Sequence, residues 1–199
     1  MIGTKNVLDQ ANDTKSVKKI VITSSVAAIY GDNADMSATT KGIFTEADWN
    51  VTSDKTHQAY SYSKTLAETA AWELHKMQDR WDMVTVNPSL VVGPGTNSEI
   101  TSESFSIVKK LGDGTLKGGV PHWELGLVDV RDLAEAHFQA GFKPDVKGRH
   151  IISGHNSSLF EMAQILRDNY GDKYPFPKKI MPKPLVWLFG PMMDKNLTR

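Results

Sequence analysis

The sequence contains no cysteine, and none of its hydrophobic runs is long. The absence of cysteine excludes disulfide bridges, thiolate nucleophiles and cysteine-based metal sites. No run of apolar residues approaches the length needed to cross a membrane, and the first residues lack the hydrophobic core of a signal peptide. We therefore expect a cytoplasmic protein with no membrane partner.

An excess of charge of either sign is also lacking. The 199 residues include 23 lysines and arginines and 23 aspartates and glutamates, so the formal net charge is zero. Without a basic excess, the sequence gives no electrostatic reason to expect a nucleic-acid partner. His150 and His155 are spaced so that they fall on opposite faces of a strand, and no metal site is predicted.

Two runs rich in β-branched residues predict buried strands of a parallel sheet, at 17–23 and at 83–87. Between them, the turn-rich segment 26–58 predicts a long connection, and apolar residues at helical spacing predict a helix over 60–80. Strand, helix and strand in this order predict a parallel crossover. In such a unit the strand ends and the following helix starts face one cleft, where ligands bind.

Shorter patterns predict the remaining elements. A first helix is expected from about Gly3 to Ala11. Ser157 or Ser158 is expected to cap the last helix. Asp129 and Asp132 stand at the junction between a predicted strand and the helix 130–142, where an N-cap is the expected role, because short polar side chains accept hydrogen bonds from free amides at helix starts. The other predicted helices cover 104–111, 130–142 and 159–170, and the other predicted strands cover 125–129 and 149–152.

Tyr60 and Lys64 are the residues whose spacing suggests chemistry. Four residues apart on a helix, they lie one turn apart on one face. An ammonium beside a phenol favours the phenolate, and such a phenol can pass a proton to a carbonyl oxygen. The spacing alone also fits an exposed helix on which Lys64 pairs with Glu68. The surrounding motifs favour the catalytic interpretation.

Four motifs in order carry a family resemblance: Thr23-Ser24-Ser25, Asp48-Trp49-Asn50, the run from Tyr60 to Glu68, and the run from Asn87 to Pro94. Together they resemble the extended short-chain dehydrogenase/reductases, and most closely the branch of dihydroflavonol reductases, cinnamoyl-CoA reductases and aldehyde reductases. The resemblance covers essentially the whole chain.

The fold implied by this resemblance is α/β, with a doubly wound parallel sheet of Rossmann type, of which only the C-terminal half is present, and a small α/β substrate subdomain. The expected division places the dinucleotide-binding part at 1–95. The substrate subdomain then occupies most of 96–199, with Rossmann elements returning near 125–152.

The resemblance also implies the roles of the site residues. Tyr60 would be the general acid that protonates the substrate carbonyl oxygen as a hydride arrives from a nicotinamide. Lys64 would hold the nicotinamide ribose and help Tyr60 release its proton. Ser25 would hydrogen-bond the developing oxyanion, with Ser24 as the alternative if the register is shifted by one. Ser25 could instead simply cap backbone groups at the strand end.

Further residues match the cofactor-binding segments of these reductases. Pro88, Ser89 and Val91 match the segment that packs against the nicotinamide, and Ser104 matches a contact on the phosphate side. The resemblance implies NADP(H) in preference to NAD(H), a small carbonyl substrate and a possible homodimer.

One family feature is missing, because no Gly-Xaa-Xaa-Gly-Xaa-Xaa-Gly turn occurs anywhere in the sequence. Such a turn holds the cofactor pyrophosphate. We expect the chain to be a fragment of a longer reductase that is inactive by itself, because the hydrophobic strand at 17–23 would otherwise form an unprotected sheet edge. The other explanation of the missing turn is a genuine short form that has lost cofactor binding. The alternative functions are a sugar-nucleotide epimerase or dehydratase of the same superfamily, or a non-catalytic binding protein derived from the fold.

Overall fold

The computed structural model describes residues 2–96 and 102–186, which form two compact units. The first unit comprises residues 2–89 and 128–153, and the second comprises the described residues of 90–127 and 154–186. None of the helices in these described ranges is long and apolar enough to cross a membrane.

The first unit is built on a parallel sheet. Its strands are β1 (Lys19–Thr23), β2 (Asp82–Pro88) and β5 (Gly148–Ile152), in the order β1-β2-β5, and both pairings are parallel. The prediction of a parallel sheet is therefore confirmed. Its helices are α1 (Ile2–Asp13), α2 (Ala59–Lys76) and α4 (Val130–Phe142).

Side chains that alternate along these strands cover both faces of the sheet. Ile20, Ile22 and Met83 pack with Leu8 of α1 and Ala71 of α2. The residues between them face the opposite side, where Val86 lines a cavity together with Ala136 and Ala140 of α4. A strand buried on both faces needs apolar residues at successive positions, which explains the continuous hydrophobic run that predicted β1.

The second unit contains a sheet of its own, with strands β3 (Leu90–Val92), β4 (Glu124–Asp129) and β6 (His155–Ser158) in the order β3-β4-β6. Strands β4 and β6 pair antiparallel. Helices α3 (Glu103–Gly112) and α5 (Leu159–Tyr170) complete the unit. Its buried core consists of Leu111, Val120, Leu127, Leu159, Met162 and Ala163. Strands β3 and β6 were not predicted, because one is very short and the other is entirely polar.

Helix α2 ends at Lys76, earlier than the predicted residue 80. The Gln78 side chain explains the difference, because its Oε1 accepts hydrogen bonds from the backbone amides of Arg80 and Trp81 at 2.9 and 3.0 Å and so stabilises a turn. Beyond this turn, the Arg80 guanidinium donates to backbone carbonyls at and after the end of α1. These carbonyls belong to Ala11, Asn12, Thr14 and Val17.

The long predicted connection 26–58 contains two short 3₁₀ helices, Val26–Ala28 and Asn33–Ala38. Near its end, His57 Nε2 lies 2.6 Å from Asp32 Oδ2. The next residue, Gln58, has a left-handed conformation with φ of 53°, which is unusual for a residue other than glycine, and α2 starts directly after it. The His57–Asp32 contact therefore ties down the strained turn that leads into α2.

The predicted helix caps are confirmed. The Asp129 side chain accepts from the Arg131 amide at 2.8 Å at the start of α4. At the start of α5, Ser158 rather than Ser157 is the capping residue, and its Oγ accepts from the Glu161 amide at 3.2 Å. The Glu161 carboxylate accepts in turn from the Ser158 amide at 3.1 Å, which completes a capping box.

Removing the Ser158 cap should destabilise the protein. Ser158→Ala leaves an amide of α5 without its acceptor, and we expect a loss of about 1 kcal/mol in the free energy of unfolding. Ser102 is a matched control, because it occupies the N-cap position of α3 but makes no side-chain capping bond. Urea denaturation of both alanine variants is the measurement, and equal losses for the two would contradict the expected role of Ser158.

The His57–Asp32 contact should make stability depend on pH. The hydrogen bond and the charge of Asp32 raise the pKa of His57 above its ordinary value of 6.5. Because the folded-state pKa is the higher one, this contribution is complete below about pH 6.5 and is lost as pH rises through the folded-state pKa.

In Asp32→Asn, we expect the pKa of His57, measured by NMR titration, to fall towards its ordinary value. The stability difference between the parent and this variant should be larger at about pH 5.5 than at about pH 8.5. Asp9→Asn, which alters an exposed aspartate of α1, serves as the control. A pKa of His57 that does not respond to Asp32→Asn would show that the ion pair does not form.

Candidate functional site

Two serines follow the end of β1, and they make different hydrogen bonds. Ser24 is buried, and its Oγ donates to Glu68 Oε2 at 2.5 Å. Ser25 is the N-cap of the 3₁₀ helix Val26–Ala28, and its Oγ accepts from the Ala27 amide at 3.1 Å. The proton of the Ser24 hydroxyl is therefore committed to a carboxylate. The bond that Ser25 makes uses a lone pair and leaves its proton available to an acceptor.

The turn that carries Ser25 is held against α2. Asn50 donates from its side chain to the Ala27 carbonyl at 2.9 Å and from its backbone to the Ala28 carbonyl at 3.1 Å. Thr65 Oγ1 of α2, which donates to the Ser61 carbonyl at 2.8 Å, also lies 3.4 Å from the Ala27 carbonyl. The Asp48-Trp49-Asn50 motif thus has a physical role, because its asparagine satisfies the carbonyls of the serine turn.

Tyr60 lies in the first turn of α2, and Lys64 lies one turn later. The Lys64 Nζ is 5.9 Å from the centroid of the Tyr60 ring, so the two side chains share a face as their spacing predicts. Tyr60 is 63% exposed, which leaves its hydroxyl accessible to a small molecule. Lys64 is half-buried. The arrangement places an accessible phenol and an ammonium together at the start of the helix.

Glu68 does not pair with Lys64, so the alternative of an exposed helix with that ion pair is wrong. Glu68 is only 2% exposed, and its Oε1 accepts from Arg149 Nε at 2.6 Å. A buried carboxylate needs a charged partner and further donors, and the sheet and α2 itself supply them. Those further donors are Ser24 Oγ, Trp72 Nε1, Thr85 Oγ1 and Asn87 Nδ2.

Arg149 is the residue that the sequence analysis missed. The strand 149–152 was predicted, but its first residue was not assigned a role. The sequence could have indicated a buried partner for Arg149, because a charged side chain in a strand covered on both faces must have one. Register places Arg149 directly beside Thr85, on the face that also carries Asn87.

The residues expected on the cofactor side are distributed over both units. In the first unit, Pro88 and Ser89 are buried at the end of β2, and the Ser89 amide donates to the Ile152 carbonyl at 3.1 Å. In the second unit, Val91 lies in β3 and Ser104 lies in the first turn of α3, both half-buried.

The donors at the start of α2 and after the end of β1 suit one part of a nicotinamide cofactor. An ammonium and a phenol one helical turn apart can hold the hydroxyls of a ribose, and the adjacent strand end of Ser25 offers a hydroxyl to a carbonyl oxygen. The sequence contains no glycine-rich turn for a pyrophosphate. The fit therefore extends to the nicotinamide end of the cofactor.

Comparison with known proteins finds one family model and several relatives that this chain resembles. The NAD dependent epimerase/dehydratase family matches residues 1–153. A cinnamoyl-CoA reductase of Medicago truncatula is 31% identical over 196 residues, which cover 97% of this chain and 58% of the relative. A dihydroflavonol 4-reductase of Gerbera hybrida is 29% identical over 176 residues, covering 86% of this chain and 46% of the relative.

A solved structure agrees with these sequence matches. Gre2 from Candida albicans, in a crystal structure with NADPH, superimposes with a TM-score of 0.72 at 32% identity and covers 92% of this chain and 57% of its own. The chain thus spans about half the length of the relatives that it matches. The predicted fold, a partial Rossmann-like α/β structure, and the predicted resemblance are confirmed. The chain belongs to the NAD dependent epimerase/dehydratase family, and it is similar to the cinnamoyl-CoA and dihydroflavonol reductases.

Proposed function

We propose that this chain provides the catalytic residues of an NAD(P)H-dependent carbonyl reductase that acts on aldehydes or ketones, with NADPH as the preferred cofactor. The observation that carries the proposal is the exposed Tyr60 side chain with the Lys64 ammonium 5.9 Å from its ring centroid, at the start of the helix that packs on the Ser25 turn. The reductases among its relatives and the NADPH-bound Gre2 structure support the same reaction class.

Tyr60 is the proton donor in this proposal. A reduced nicotinamide supplies a hydride to the carbonyl carbon, and the carbonyl oxygen then needs a proton to become an alcohol. Tyr60 gives up its phenolic proton to that oxygen, and solvent reprotonates the phenolate afterwards. Lys64 assists because its positive charge stabilises the phenolate that forms, and its ammonium would hold the ribose hydroxyls of a bound cofactor.

Ser25 stabilises the charge that develops on the oxygen. Its Oγ already accepts from the Ala27 amide, which fixes the hydroxyl in one place and leaves its proton to be donated. A donor that is fixed before the reaction needs no reorganisation when charge appears, and this makes it effective. Ser24 does not suit this role, because its proton is donated to Glu68.

Tyr60→Phe should lower kcat for carbonyl reduction by about 100- to 10,000-fold, because the general acid is lost while the ring remains. Tyr62→Phe is the matched control, since it lies on the same helix but points away from the face shared with Lys64. The measurement is NADPH oxidation by the complete gene product with an aldehyde, cinnamoyl-CoA and a dihydroflavonol.

Full turnover in Tyr60→Phe would contradict the role of Tyr60 as the general acid, and a parent protein that reduces no carbonyl would favour a binding protein. Tightly held NAD together with interconversion of sugar nucleotides would instead favour the epimerase alternative. Circular dichroism of each variant confirms that the fold is retained.

Ser25→Ala and Ser24→Ala should separate the two serines. Ser25→Ala should reduce kcat by about 100-fold or more, because an oxyanion donor is removed. Ser24→Ala takes a hydrogen bond from the buried Glu68 and should mainly lower stability, by about 1 to 3 kcal/mol. Steady-state kinetics and urea denaturation of both variants are the measurements. The reverse pattern would assign the oxyanion contact to Ser24.

A further inference from the structure

The Arg149 guanidinium contacts three separate segments of the first unit. Its Nε donates to Glu68 at 2.6 Å, and the side chains of both partners are almost fully buried, at 8% and 1% exposure. Its plane stacks on the Trp49 ring, with Cζ 3.7 Å from the ring centroid. Its remaining donors bind the backbone carbonyls of Glu46, Asp48 and Ala28 at 2.8, 2.5 and 3.3 Å.

These contacts connect the parts that carry the proposed catalytic groups. Glu68 lies one turn after Lys64 on α2, so the ion pair fixes the rotation of the helix that presents Tyr60. Ala28 ends the turn that Ser25 begins, so the same guanidinium holds that turn.

A second route leads from Glu68 to the serine turn. Asn87 donates from Nδ2 to Glu68 Oε2 at 2.7 Å and to the Ser25 carbonyl at 3.1 Å. The two ends of the turn, Ser25 and Ala28, are thus each bonded by a side chain that also donates to Glu68.

We propose that Arg149 and Glu68 are positioning residues for the reaction, which hold the Ser25 turn in register with Tyr60 and Lys64. This inference rests on the proposed function. A buried ion pair is a weak source of stability, since an apolar pair of similar volume can be as stable or more so. The planar Arg149 guanidinium, with its several donors, instead fixes the orientation of the segments that it binds. Orientation matters because displacing a catalytic group by about 1 Å can cost about 100-fold in rate.

Arg149→Lys is the informative variant. Lysine keeps the charge and can still pair with Glu68, but a single ammonium cannot also bind three carbonyls and stack on Trp49. We expect kcat for carbonyl reduction to fall by about 10- to 100-fold, while KM for NADPH changes less than about 3-fold.

Arg80→Lys is the matched control. Arg80 also binds several backbone carbonyls, but these lie at the end of α1 and after it, and it contacts none of the proposed catalytic residues. This variant should lose stability to a similar degree and keep kcat within about 2-fold at a temperature where it is folded.

A double-mutant cycle separates positioning from a general loss of folded protein. If Arg149 acts through the serine turn, Arg149→Lys should cost about 10- to 100-fold in the parent and less than about 3-fold when Ser25 is already alanine. A merely structural role lowers activity by the same factor in both backgrounds. Equal factors, or no loss in the parent, would overturn the proposal.

Hydrogen exchange gives an answer that does not depend on turnover. In the complete gene product carrying Arg149→Lys, the amides of Ala28 and Asn50 should exchange about 10-fold faster, because they bond within the turn that Arg149 holds. The Tyr62 amide inside α2 should keep its protection. If the parent reduces no carbonyl, the reductase proposal fails by itself, and unchanged exchange at Ala28 and Asn50 would separately overturn the positioning role.

Discussion

The buried ion pair between Glu68 and Arg149 is the contact on which the first unit depends. Both charges are removed from water, and removal of one partner would leave an uncompensated charge in the interior, which costs about 3 to 5 kcal/mol. The pair is tolerated because every neighbouring segment contributes a polar group to it. Carbonyls and an aromatic ring surround the guanidinium, and hydroxyl, amide and indole donors surround the carboxylate.

The four motifs of the sequence meet at this ion pair. The first contributes the Ser24 hydroxyl, the second contributes the Asp48 carbonyl and the Trp49 ring, the third contributes Glu68, and the fourth contributes the Asn87 amide. Residues that are far apart in sequence therefore depend on one another in the fold, because each satisfies a polar atom that another one buries. The order of the motifs follows from the order of the strands and helices that bring them to one sheet face.

Periodicity predicted the regular elements well, since β1, β2, α2 and α4 each carry an apolar pattern of their own. The polar strand β6 and the early end of α2 could not be predicted in this way, because one depends on pairing with β4 and the other on the Gln78 side chain. The Tyr60 and Lys64 pairing was predictable from spacing on one helix. Arg149 was not assigned, because its role depends on contacts across more than eighty residues of sequence.

Helix α2 shows how one element can serve two environments. Tyr60 at the start of the helix is exposed and Lys64 is half-buried, whereas Glu68, one turn further along the same face, is buried. A helix fixed only by apolar contacts can slide or rotate by small amounts, because such contacts are not directional. Hydrogen bonds from a guanidinium and an amide to Glu68 are directional, so they define the rotation of α2. The contacts of buried Glu68 thereby also bear on the orientation of the exposed Tyr60 phenol, which is carried by the same helix.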